Sequence, residues 1–311
     1  MPIESVAIPF LLVVGSLLAL QAAANVQLAS GVGSPAGGST LQLAIGAALL
    51  VALAAAVGAL GALGSIGDAD PAHLWGGVGS AVYITAGILL LPRLGAVVAV
   101  GLFVAGQMGA SLLLDGFGWL GVAREPIGAG AAAGAAAVVV ATWMIVGAQA
   151  GAQVIEDALR NRGGWALVGL LAGAVLPVQG AVNAQLRVDI AAPLAVGAFS
   201  FLVASAAMAL VLAGLLAFSR ASRPQARGLG AVPWWGWLGG ACGATYVTSV
   251  FVLIPEIGVA PTIALTVAGQ QLASVLVDRY GLLRLPRRPI TPRRLAGVVL
   301  LLLGVGLIQL S

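Results

Sequence analysis

The sequence has 311 residues, of which 60% are hydrophobic and only 8% charged, with a formal net charge of +4. Together with a mean hydropathy of +1.09, this excludes an ordinary soluble domain, whose surface needs several-fold more charge. One cysteine, Cys242, and one histidine, His73, leave no internal disulfide, cysteine metal cluster or histidine relay, so neither a metal nor another cofactor is expected.

In chain order, apolar runs predict ten transmembrane helices, at about 6–28, 38–62, 72–91, 95–115, 127–147, 165–187, 193–217, 234–254, 258–278 and 291–310. About 20 apolar residues cross a hydrocarbon core ~30 Å thick. Runs such as Val97–Leu114 and Leu295–Leu310 are continuous rather than alternating, so helices and not barrel strands satisfy the backbone in lipid. Breakers mark the gaps, among them Gly33-Ser34-Pro35, Asp68-Ala69-Asp70-Pro71 and Arg124-Glu125-Pro126. The first run reads as a full span and not a cleaved signal, because Met1–Ser5 has no basic residue. Trp234, Trp235 and Trp237 open the eighth span as an interfacial aromatic anchor. The 45 glycines fit close helix packing in lipid.

The fold class expected is therefore an all-α polytopic membrane protein. The chain also repeats itself. Gln21-x3-Asn25-x-Gln27-Leu28 returns as Gln179-x3-Asn183-x-Gln185-Leu186, offset by 158. Further on, Gly76, Tyr83, Pro92, Gly95, Gln107, Ser111 and Asp115 return as Gly239, Tyr246, Pro255, Gly258, Gln270, Ser274 and Asp278, offset by 163. This divides the chain into a five-helix repeat at 1–150, a cytoplasmic linker at 151–164 and a second five-helix repeat at 165–311. Five spans each force the second repeat to enter the membrane inverted relative to the first, a known transporter design.

The charges agree with inversion. The loop after Asp115 carries one arginine, while its counterpart after Asp278 carries six. All 14 basic residues are arginine, and twelve of them, Arg160 and Arg162 included, fall on one side of the ten-span arrangement. Only Arg124 and Arg187 fall on the other. That is the positive-inside pattern. It accounts for the pI of about 10.2 without nucleic acid, and it places both termini outside the cytoplasm.

Polar residues within the spans are the candidate site. Gln21 and Asn25 share one helix face, as do Gln179 and Asn183. They either glue the bundle by interhelical hydrogen bonds or face a central cavity as substrate-binding amides. Gln107, Ser111 and Asp115 form an i, i+4, i+8 stripe, mirrored by Gln270, Ser274 and Asp278, with Thr262 and Thr266 extending the second stripe. Such a ladder can line a polar path. Asp115 and Asp278 lie at span ends, as gate charges or as interface partners of an arginine such as Arg279. Tyr83 and Tyr246 can each offer a ring and a hydroxyl to a cavity. Gln271 has no matching partner, since it pairs with Met108, and is assigned a minor site role; Gln149 is assigned none. Pro177 sits mid-span where the first repeat has Ala19, so any kink there is asymmetric. No ionisable residue lies at the centre of a span. A buried carboxylate exchanging protons for cations is thus not visible, and a neutral, zwitterionic or weakly charged substrate fits better.

These residues carry a resemblance. The segments 176–186 (Leu-Pro-Val-Gln-Gly-Ala-Val-Asn-Ala-Gln-Leu), Phe199-Ser200-Phe201, 233–240 (Pro-Trp-Trp-Gly-Trp-Leu-Gly-Gly) and 267–278 (Val-Ala-Gly-Gln-Gln-Leu-Ala-Ser-Val-Leu-Val-Asp) resemble the YdcZ-like branch of the drug/metabolite transporter superfamily. The likeness covers both halves, and the chain looks like a fused tandem of two five-helix units. It implies a bacterial inner-membrane carrier, an exporter of small metabolites or drugs, whose fifth and tenth spans pack as a pair. The partners implied are a small-molecule substrate and the lipid bilayer, with room for a homodimer. The alternative is a non-transporting membrane scaffold or partner subunit, in which the same polar pairs serve only stability.

Overall fold

The computed structural model describes residues 3–147, 163–218, 220, 222–284 and 287–311. Gln149, Arg160 and Arg162 lie outside the described residues, as does the linker except for Gly163 and Gly164. The described residues form nine long helices: α1 (Ile3–Val32), α2 (Pro35–Ala56), α3 (Val78–Phe117), α4 (Ala129–Val146), α5 (Gly163–Ile190), α6 (Pro193–Ala217), α7 (Gly239–Ile257), α8 (Val259–Tyr280) and α9 (Pro292–Gln309). Each is long and apolar enough to cross a membrane, α7 together with the turn before it.

Nine helices hold ten spans because α3 contains two. Its helical geometry is broken only at Gly95, with φ 76° and ψ 159°. The matching Gly258, with φ 89° and ψ 165°, separates α7 from α8. A side chain at these φ values would be strained, so glycine sets both breaks. The second predicted span is shortened. α2 stops at Ala56, and Ala59–Asp68 is a 3-10 helix. The spacing of Gly58, Gly61, Gly64 and Gly67 matches the three-residue turn of that conformation. Pro177 lies inside α5, which stays continuous.

Local chemistry sets several helix starts. Pro35, Pro71, Pro193 and Pro292 occupy first positions, where a missing N–H costs nothing. Ser34, Asp70 and Thr291 accept hydrogen bonds from the amides of Gly37 (3.2 Å), Ala72 (2.8 Å) and Arg294 (3.2 Å), in the usual N-cap manner.

The repeat is written into the backbone. Positive φ occurs at the matched pairs Gly33/Ala191, Gly95/Gly258, Gly118/Gly281, Leu120/Leu283 and Gly121/Arg284. Matched 3-10 turns, Pro71–Trp75 and Trp234–Leu238, precede α3 and α7.

The chain forms two compact units, which are not the two repeats. One comprises Met1–Ser16, Ala86–Val178 and Leu253–Ser311; the other comprises Leu17–Thr85 and Gln179–Val252. Each draws segments from both repeats. In the first unit α4 packs against α9, the expected pairing of the fifth and tenth spans. Leu11, Leu90, Met108, Ile145, Ile254 and Ile263 are fully buried there. A Cβ on Gly106 would run into the carbonyl of Leu170, and one on Gly173 into that of Phe103. The backbones of α3 and α5 therefore touch. In the second unit α2 packs against α6, around Leu28, Leu43, Leu186, Phe201, Met208 and Phe251. Large apolar side chains remain exposed along the helices, including Leu210 at 74% and Val188 at 70%. On a soluble protein such a surface would aggregate; in a bilayer it faces acyl chains.

Candidate functional site

The second unit holds the Gln21/Asn25 pair of one repeat and the Gln179/Asn183 pair of the other. Gln179 on α5 and Ser80 on α3 form a reciprocal pair: the Ser80 hydroxyl donates to Gln179 Oε1 at 3.0 Å, and Gln179 Nε2 donates to Ser80 Oγ at 2.9 Å. One turn on, Asn183 Nδ2 donates to Ser200 Oγ of α6 at 3.0 Å. Gln179 and Asn183 are 4% and 1% exposed. Buried polar groups normally find partners, yet Asn183 Oδ1 has none and rests against Gly76.

The first-repeat counterpart is related but not identical. Asn25 Oδ1 rests against Gly239, which matches Gly76, and it too is buried without a partner. Gln42 stands where the second repeat has Ser200, and its Nε2 donates to the Gly239 carbonyl at 3.4 Å while Oε1 is unmatched. Gln21 packs against Gly243, where the first repeat has Ser80. Gln21 thus lacks the hydroxyl that Gln179 uses. Tyr83 and Tyr246 fall in this same unit, with Tyr246 buried. Thr248 Oγ1 is a further buried unmatched atom, beside Gly197. On an edge of this unit, His73 Nδ1 and Asp189 Oδ2 are 2.7 Å apart.

The remaining candidates lie in the first unit. Gln107 and Ser111 on α3 are buried, as is Gln271 on α8, while Gln270 and Ser274 are partly exposed. Three of the four ladder hydroxyls are spent locally. Ser111 donates to the Gln107 carbonyl at 2.7 Å, Thr262 to Gly258 at 2.6 Å and Thr266 to Ile263 at 2.9 Å.

The two aspartates differ most. Asp115, 6% exposed at the end of α3, accepts hydrogen bonds from the Val259 amide at 2.9 Å and the Ala260 amide at 2.6 Å. It caps a helix of the other repeat. Those amides point outward from the α8 start, and the helix dipole favours an anion there. Asp278 instead accepts from Arg294 Nη2 at 2.7 Å. No bond joins Asp278 to Ala96 or Val97, the matching positions after Gly95, among the described residues. The partner is Arg294 and not the Arg279 expected from proximity in sequence: Arg279 is exposed on α8, whereas Arg294, 3% exposed, opens α9, which packs against α8. The loops are alike nonetheless. The Glu125 amide donates to the Asp115 carbonyl and the Arg288 amide to the Asp278 carbonyl, both at 2.8 Å.

Ser80, Gln42, Ser200 and Arg294 were not among the sequence candidates. Ser80 and Ser200 look like packing residues in an Ala/Gly-rich run, and neither is repeated in kind: Gly243 and Gln42 hold their places. A search for matched residues passes over such positions.

Comparison with known proteins bears on this arrangement. A family model described as "Putative inner membrane exporter, YdcZ" matches residues 6–144 and again 164–307. A solved crystal structure aligns over 98% of this chain and 96% of its own, with a TM-score of 0.66 and 19% identity; at that identity the likeness concerns the fold alone. No curated protein matches the sequence. With one family unit in each half and helices that suit a multi-pass inner-membrane transporter, the chain belongs to the YdcZ family of drug/metabolite transporters.

Proposed function

We propose that this protein is a secondary transporter that exports a small neutral, zwitterionic or weakly charged metabolite or drug by alternating access. The carrying observation is that two aspartates matched in sequence do different jobs in one structure. Asp115 caps α8, while Asp278 pairs with Arg294. In a carrier of two inverted repeats, matched elements exchange roles between states. In the other state Asp278 would take the amides of Ala96 and Val97, and Asp115 would release those of Val259 and Ala260.

The substrate site is assigned to Gln21, Asn25, Gln179 and Asn183, with Tyr83 and Tyr246 of the same unit. Amides offer donors and acceptors without net charge, which supports the substrate class. Three amide oxygens lack donors, those of Asn25, Gln42 and Asn183. Leaving such an atom buried and unpaired costs about 1–3 kcal/mol, and a substrate bearing N–H or O–H groups would satisfy them. The arginine asymmetry supports both termini lying outside the cytoplasm.

The test is transport by reconstituted protein. Changing Gln21, Asn25, Gln179 and Asn183 to alanine together should abolish flux and leave membrane insertion intact. Wild-type flux in the quadruple variant would sink the reading.

A further inference from the structure

An open pocket of about 430 Å³ is lined by Arg279 and Tyr280 at the end of α8 and by Arg287, Arg288 and Pro289 before α9. Three arginines line it, and no acidic residue is among the described residues that do. The nearest acid in sequence, Asp278, is already engaged by Arg294 at 2.7 Å. Arg279, Arg287 and Arg288 form no ion pair among the described residues.

The fold does not demand this charge. The matched loop of the first repeat is folded back by the same backbone hydrogen bond, from Glu125 to the Asp115 carbonyl. Its matching positions are Gly116, Phe117, Arg124, Glu125 and Pro126, a single cation beside an acid. Arginine as a topological signal needs only to be on the correct side of the membrane. It does not need to share the lining of one pocket with two others, where like charges repel. Elsewhere an arginine at the junction of two spans, inside α3, finds local partners: Arg93 lies over the Trp165 ring at 4.5 Å and donates to the Leu89 carbonyl at 2.6 Å.

We propose that this pocket binds the phosphate of an anionic phospholipid headgroup. Guanidinium forks match phosphate oxygens bidentately, and basic pockets at the cytoplasmic ends of membrane helices suit such headgroups. The source is a lipid and not a free ion because the pocket sits at the end of a membrane helix with apolar flanks. Tyr280 is 61% exposed and Ile290 is 44% exposed, in positions to meet the acyl and glycerol layers.

The full chain, purified in a neutral detergent, would be titrated with phosphatidylglycerol, cardiolipin or phosphatidylcholine and read by native mass spectrometry. The two anionic lipids should bind at least tenfold tighter than phosphatidylcholine, and R279Q/R287Q/R288Q should remove roughly that tenfold preference. R220Q/R223Q/R227Q removes equal charge from another loop and should keep it. If the glutamine triple does not insert, R279K/R287K/R288K holds the charge and should still weaken binding through loss of the fork. Unchanged lipid preference in the glutamine triple, or in the lysine triple where that stands in for it, would overturn the proposal, and so would equal loss in the control triple. Displacement of bound phosphatidylglycerol by an equal concentration of inorganic phosphate would assign the pocket to a free anion and overturn the lipid reading.

Discussion

The carboxylate of Asp115 and the amide of Ala260 meet at 2.6 Å, across 145 residues of sequence, and tie the end of α3 to the start of α8. Asp115 is buried and takes a second bond from Val259, so its charge is stabilised by two N–H groups that have no partner within their own helix. D115A removes both bonds. Losing a helix cap typically costs about 0.5–2 kcal/mol, and here the acceptor is charged and buried, so the upper end is expected. The melting temperature should fall by several degrees, and transport should fall with it if release of this contact is part of the cycle. D115N keeps one acceptor oxygen and should lie between D115A and wild type. An unchanged melting temperature in D115A would remove the cap from the account.

Asp278 and Arg294 give a different prediction. Arg294 is buried, and two of its nitrogens, Nε and Nη1, have no partner. R294A leaves the part-buried carboxylate without its counter-charge; breaking a fully buried pair from one side costs about 3–5 kcal/mol, so a loss at or below the lower end is expected. Removing both charges avoids that penalty. A D278N/R294M double variant, which also keeps the apolar stem that arginine packs against its surroundings, should melt within a few degrees of wild type. A double variant no more stable than R294A would mean that the damage lies in packing and not in the unpaired charge.

Much of this was legible in the sequence, and the reason differs by feature. Helices came from hydropathy, because lipid allows few other backbones. The repeat came from matched polar residues, and matched φ values such as Gly95 with Gly258 now follow it. The merging of two spans into α3 was not legible: Leu91-Pro92-Arg93, between the spans at 72–91 and 95–115, reads as a full break, whereas only Gly95 leaves helical geometry. The partners of the amides were hidden too. Asn183 meets Ser200 and Gln179 meets Ser80, and neither serine recurs in kind in the other repeat. Arg294 was hidden because sequence proximity favoured Arg279. Which helix ends come together depends on packing, and periodicity within a helix does not report it.

Close helix contact makes a prediction of opposite sign at two glycines. A Cβ at Gly173 would strike the Phe103 carbonyl, while one at Gly214 meets nothing within 4 Å. G173A should therefore cost about 1–3 kcal/mol through overpacking. G214A, in the open, should be neutral or gain up to about 1 kcal/mol from helix propensity. Thermal unfolding of both variants in the same detergent checks the contrast, and equal losses would show that the α3–α5 approach is looser than the structure has it.

Gly76 and Gly239 separate binding from packing. The side-chain oxygens of Asn183 and Asn25 rest against them, at positions a methyl group would occupy. G76A should therefore lower both stability and transport. Adding N183A removes the oxygen that the methyl group strikes, so G76A/N183A should recover most of its melting temperature, short only of the lost Asn183–Ser200 bond. Transport is the informative readout. If Asn183 contacts substrate, the double variant stays inactive although its stability has returned. Flux that returns along with stability would make Asn183 a packing residue, and the substrate site would have to be sought on other side chains.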